Sequence, residues 1–143
     1  MEKKIGNMKK ILVGFDGSEG SEQALNRAMG MINQYGEIIL LAVVSKPDEQ
    51  YFIDEELYEN MKIKAQNLVD QAIIDMGHQE IEFTGMVQEG NDPAAVIIDV
   101  ASRLDVDLIV LGSRGESELG SFTMGSVANK VVQYAAKPVM VVR

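Results

Sequence analysis

The sequence predicts an α/β fold, a single domain whose five parallel strands form one sheet with helices on both faces. Three observations carry that expectation. Short apolar runs alternate with stretches of helical spacing, and one of them, Ile38 to Val44 (IILLAVV), is apolar throughout, as a strand covered on both faces requires. The resulting order, β-α-β-α-β-α-β-α-β, implies right-handed crossovers and a parallel sheet. A glycine-bearing stretch, GSRGESELGSFTMGS from Gly112 to Ser126, falls between a strand and a helix, at the edge where such sheets bind ligands.

Each element has its own signal. Lys9 to Phe15 (KKILVGF) reads as a short buried strand, and Ser18 follows as a helix cap. Ala24, Leu25, Ala28, Met31 and Ile32 recur at helical spacing, which predicts a helix running to Tyr35 with Gly36 as its stop. Ile38 to Val44 is the second strand, and Ser45 to Ile53, with Pro47, a polar loop. From Asp54 the spacing Leu57, Met61, Ala65, Leu68, Ala72, Met76 marks a second helix ending at Gly77. Ile81 to Val87 is the third strand. Asp92-Pro93 places a cap residue before a proline at the first helical position, opening a helix to Leu104. Asp107 to Leu111, Val127 to Ala135 and Pro138 to Val142 complete the series as strand, helix and strand. Residues 1–8 read as a flexible extension and 9–143 as the domain.

Composition narrows the function classes. The chain has 143 residues, 46% of them hydrophobic and 24% charged, with no cysteine. Thiol chemistry and cysteine-based zinc sites are thereby excluded. No apolar run is long enough to span a bilayer, and the N-terminus lacks a signal-peptide cleavage site, so a cytoplasmic protein without membrane attachment is expected. Thirteen basic against twenty-two acidic side chains give a net charge of -9, which repels polyanions and disfavours nucleic acid as a partner. A small anion can still bind where backbone amides, a local cation or a metal ion offset that field.

The glycine stretch offers such a place. Gly112 at the strand end and Gly115 in the turn can expose successive amides, and Gly125-Ser126 adds the positive end of a helix. The familiar phosphate fingerprints do not fit: there is no GxxxxGK(S/T), and GFDGSEG after the first strand is spaced GxxGxxG. The spacing present is GxxG, nine residues, then GS. Taken alone, it is equally consistent with a long surface loop.

The wider pattern is more specific. The chain closely resembles the universal stress protein family, in particular its nucleotide-binding branch, whose ATP motif GxxGx9G(S/T) falls here on Gly112, Gly115, Gly125 and Ser126. The resemblance runs from Lys9 to Arg143 and includes ILVGFDGSEGSEQAL and VQEGNDPAAVI. It implies a Rossmann-like fold of the adenine nucleotide alpha hydrolase type, strand order 3-2-1-4-5, that binds ATP or another adenine nucleotide with Mg2+ or Mn2+. Asp16, with Gly14 and Phe15 beside it, matches the ribose and adenine side, and Val43 the residue whose backbone meets adenine. Leu111 and Gly112 match positions by the nucleoside; Arg114 is a nearby cation; Gly115, Gly125, Ser126 and Val127 match phosphate-facing positions. The family typically dimerises through its last strand, here Val139 to Val142, so a homodimer regulating a stress response is expected.

Plainer readings stand beside these. Asp16 in DGS also suits a turn, and Ser18 a cap. Glu116 and Glu118 bring negative charge into the loop, with Arg114 and Lys130 as counterweights in sequence. His78, the only histidine, reads as a surface residue. The methionines, Met29, Met31, Met61 and Met76 among them, read as core fillers, and Met124 as a neighbour of the ligand. The acidic run DEQYFIDEELYE reads as a flap and helix start, Glu89-Gly90 as a turn. No base is placed for ATP hydrolysis, so at most slow turnover is expected. A branch member that binds partners without nucleotide is one alternative. A phosphoryl-accepting receiver, suggested by Lys137-Pro138, is another, although only Asp16 follows the first strand.

Overall fold

Successive strand residues point to opposite faces of a sheet, and here both faces are apolar. The computed structural model, which describes residues 7–45, 54–77, 80–113 and 125–143, shows how each is covered. Strands β1 (Met8–Gly14), β2 (Ile32–Val44), β3 (Glu82–Glu89), β4 (Leu108–Gly112) and β5 (Val139–Val142) form one parallel sheet in the order β3-β2-β1-β4-β5. Helices α1 (Glu19–Met29), α2 (Glu55–Met76), α3 (Pro93–Arg103) and α4 (Ser126–Tyr134) alternate with them. Register pairs Ile11 with Ile38 and Leu108, and Leu12 with Ile39 and Ile109. Ile11, Val13, Ile38, Leu40 and Val110 therefore share one face, packed against Ala24, Leu25 and Ala28 of α1 and Val69 of α2. Leu12, Ile39, Leu41, Ile109 and Leu111 share the other, under Ile97, Val100 and Ala101 of α3 and Ala128 and Val131 of α4.

Capping residues set the helix starts. Ser18, Asp54 and Asp92 each accept a first-turn amide of the helix that follows, and Gly77 ends α2 at a φ of 75°. At the amino-terminal end of the sheet, Asp107 accepts the N–H groups of Lys9 (2.8 Å) and Lys10 (3.1 Å), pinning β1 beside β4.

Most boundaries fall within two residues of expectation, and the large difference lies between α1 and β2. Helix α1 ends at Met29 with Gly30 as its cap, and β2 begins at Ile32, so Tyr35 and Gly36 belong to the strand. Ile32 does enter the core, but as a strand residue paired with Met8, and its burial mimics one more helical turn. Among the methionines, Met29, Met31 and Met76 pack against the core, whereas Met61 is partly exposed on α2. His78, Arg114, Gly115, Glu116, Glu118 and Met124 lie outside the described residues, as does the loop before Asp54.

Candidate functional site

From β1 the chain moves outward to β2 and β3, then crosses to the opposite side for β4 and β5. The loops at the carboxyl ends of β1 and β4 diverge at that switch and leave a crevice. A cavity of about 320 Å³ occupies it, a size suited to a small molecule.

Its walls differ in character. Phe15, Leu41, Val43, Ile97 and Leu111 supply apolar surface, drawn from β1, β2, α3 and β4. Gly14 and Gly112 let the strand ends approach closely: a Cβ on Gly14 would lie 2.5 Å from Leu111 Cδ2, and one on Gly112 would lie 2.7 Å from the backbone carbon of Gly20. Gly112 is thus required by the packing of α1 on β4, independently of any ligand. Ser18, Ser21, Ser113 and Asp16 add polar groups. Asp16 is both a turn residue and part of the wall: its Oδ1 accepts the Ser18 N–H at 2.9 Å, around Gly17 at a φ of 81°.

The helix starts differ too. The first three helices have side-chain caps, whereas the N-cap of α4 is Gly125, with no side-chain acceptor. Among the described residues no side chain accepts the first-turn amides of α4, and the positive end of the helix dipole lies beside the cavity. Gly125, Val127 and Ala128 line the cavity; Ser126 is exposed and does not. Gly125 donates its N–H to Ser113 O at 2.6 Å, and Ser113 donates to Val142 O at 2.7 Å, so the two ends of the glycine loop are fixed to each other and one of them to β5.

Of the eleven site residues expected from sequence, Gly14, Phe15, Asp16, Val43, Leu111, Gly112, Gly125 and Val127 meet at one cavity. Arg114 and Gly115 lie outside the described residues. Sequence reasoning missed Ser21, Leu41, Pro93, Ile97, Ser113 and Ala128 as wall residues, and took Ser18 only as a cap. Pro93 and Ile97 are four apart on a helix, the one signal that could have placed them together.

Other groups have structural work elsewhere. Glu89 accepts the Tyr58 hydroxyl at 2.8 Å and Lys62 Nζ at 3.4 Å, and does not line the cavity. Burial first, then the bond to Glu89, raise the Tyr58 pKa. Lys137 pairs with Asp105 before β5, at the opposite end of the sheet, which removes it as a receiver-type lysine. Strand order β3-β2-β1-β4-β5 also differs from the receiver's 2-1-3-4-5.

Asp92 and Lys130 join α3 to α4. Asp92 Oδ1 accepts the Ala94 and Ala95 N–H groups while Oδ2 takes Lys130 Nζ at 3.0 Å. The Lys130 hydrogen bond, above all, holds the Asp92 carboxyl below its ordinary 3.8. A depressed carboxyl pKa stabilises the fold above the unfolded value, and that contribution disappears as pH falls through the folded value. The stability difference between wild type and Asp92→Asn is accordingly expected to be level above about pH 5 and to shrink in more acidic buffer. Urea midpoints across that range check it.

Among the described residues no helix is long and apolar enough to cross a membrane, and no three acidic or histidine side chains gather as a metal site. A family model described as the universal stress protein family matches residues 7–143. Universal stress protein YxiE of Bacillus subtilis is 32% identical over 147 residues, covering 94% of this chain and 98% of its own. Among solved structures, UspA of Lactobacillus plantarum superposes with a TM-score of 0.79 at 24% identity, over 94% of this chain and 97% of that one. A universal stress protein in complex with cAMP (TM-score 0.63, 21% identity, 95% and 97% covered) and an Arabidopsis thaliana family member with AMP bound (0.66, 21%, 94% and 90%) share the fold. The chain belongs to the universal stress protein family.

Proposed function

We propose that this protein is an adenine-nucleotide-binding member of its family, acting as a regulatory cytoplasmic homodimer in a stress response, with ATP as the leading ligand. The observation that carries the reading is the two-ended cavity: an apolar slot between Phe15, Val43, Ile97 and Leu111 suits a planar base, and the α4 start without a side-chain cap suits phosphate. The neighbours solved with cAMP and AMP add support for the ligand class. In this reading Asp16 faces the ribose and the amides of Ser126 and Val127 face the phosphates, Gly125 leaving room for them while its own N–H is held by Ser113 O, with Arg114 and Gly115 completing the cradle. A Mg2+ or Mn2+ ion at the phosphates has support from the family resemblance alone. Dimerisation would use β5, an outer strand whose Val139, Met140 and Val141 are only partly covered.

Calorimetry with ATP and magnesium tests the reading. Wild type is expected to bind, and Gly125→Val, which adds a branched side chain at a residue lining the cavity, to lose roughly tenfold or more in affinity, about 1.4 kcal/mol. Unchanged circular dichroism would show that the variant folds. A wild type that takes up no adenine nucleotide refutes the proposal.

A further inference from the structure

The cavity wall contains no lysine or arginine among the described residues, and its one charged residue, Asp16, is negative. A cation nearby is Lys130, one turn along α4 from Ser126, and helical side chains lean toward the N-terminus. Its ammonium is not free: Asp92 Oδ2 holds it at 3.0 Å, and both side chains are about half exposed. Asp92 immediately precedes Pro93, and Lys130 follows Ala128 by two residues; Pro93 and Ala128 both line the cavity. Neither side chain itself lines the cavity; the pair ties the start of α3 to α4 next to the two helices' wall residues.

We propose that Asp92 and Lys130 set the anion affinity of this cavity, Asp92 restraining it by cancelling and holding the Lys130 ammonium, which would otherwise favour the phosphate end of a ligand. This rests on the nucleotide reading and adds to it a specificity device. Two opposite charges in contact leave little net field at the mouth, and releasing either one exposes the other. Both sites are solvated, so the effect is modest and sensitive to salt.

The test uses the full chain, with ATP and uncharged adenosine as probes, measured by calorimetry at low and at high salt. Asp92→Asn retains a good helix cap and Lys130→Met retains the aliphatic stem. Asp92→Asn is expected to tighten ATP binding by about twofold to fivefold at low salt, and Lys130→Met to weaken it by about as much, the upper figure being the scale of one unit charge in near contact in water. The double variant should return near wild type, and adenosine should bind all four proteins alike. High salt should compress the differences. Equal ATP affinity in wild type and Asp92→Asn overturns the inference while leaving the nucleotide reading intact. Adenosine affinities that shift as much as those for ATP also overturn it, since the pair would then act by holding the helices in place. Wild type that binds neither probe overturns both.

Discussion

Gly112→Val is expected to destabilise the protein by about 1–3 kcal/mol or more, the cost of overpacking where nothing can swing aside. The atoms that a Cβ would meet are the carbonyl carbon, the oxygen and the Cα of Gly20, at 2.7, 2.8 and 3.0 Å. All are backbone, so the whole start of α1 must move off the end of β4. That start carries Ser18 and Ser21, which line the cavity, so the cavity wall is expected to be disturbed along with stability. Gly112→Ala should lie between wild type and the valine variant. Urea titration decides the matter: a midpoint unchanged in Gly112→Val would mean that α1 and β4 are not held together as described.

Leu111→Ala should cost about 2–5 kcal/mol, toward the lower end of that range. Leu111 is buried among residues of α3 and α4, but its Cδ2 fills the notch above Gly14 and borders the cavity. Part of the space it vacates opens into room that already exists, so fewer neighbours lose contact than at a closed site. Leu40→Ala, on the other face and fully buried, should cost more. Thermal or urea unfolding of the two variants gives the order, and a larger loss in Leu111→Ala would contradict this account.

Much of the fold was legible because its signals are local. The uniform apolar run at Ile38–Val44, the Asp92-Pro93 start and the Gly77 stop each act within a few residues, and each is found where expected. Nearly the first half of β2 was not legible: Ile32 keeps helical spacing with Ala28, and what makes it a strand residue is pairing with Met8, twenty-four positions earlier. The site divides the same way. Gly125 stands out within its glycine loop, whereas Gly14 and Asp16 are reached through the family resemblance, since Asp16 by itself suits a turn. Leu41, Ile97 and Ala128 are chemically ordinary core residues, and they become wall residues only because sheet register and helix docking end the core beside them. Gly112 was identified, but the close approach of Gly20 that demands a glycine there comes from tertiary packing alone.

The bond from Gly125 N–H to Ser113 O, 2.6 Å long, closes the chain on itself around residues 114–124. Ser113 and Gly125 are thereby fixed to each other, twelve positions apart in sequence and adjacent in space. Lengthening a closed loop costs only about 0.6 kcal/mol per doubling. An insertion between Ser113 and Gly125 is thus expected to be tolerated at small cost in stability, which urea midpoints of the lengthened chain would check.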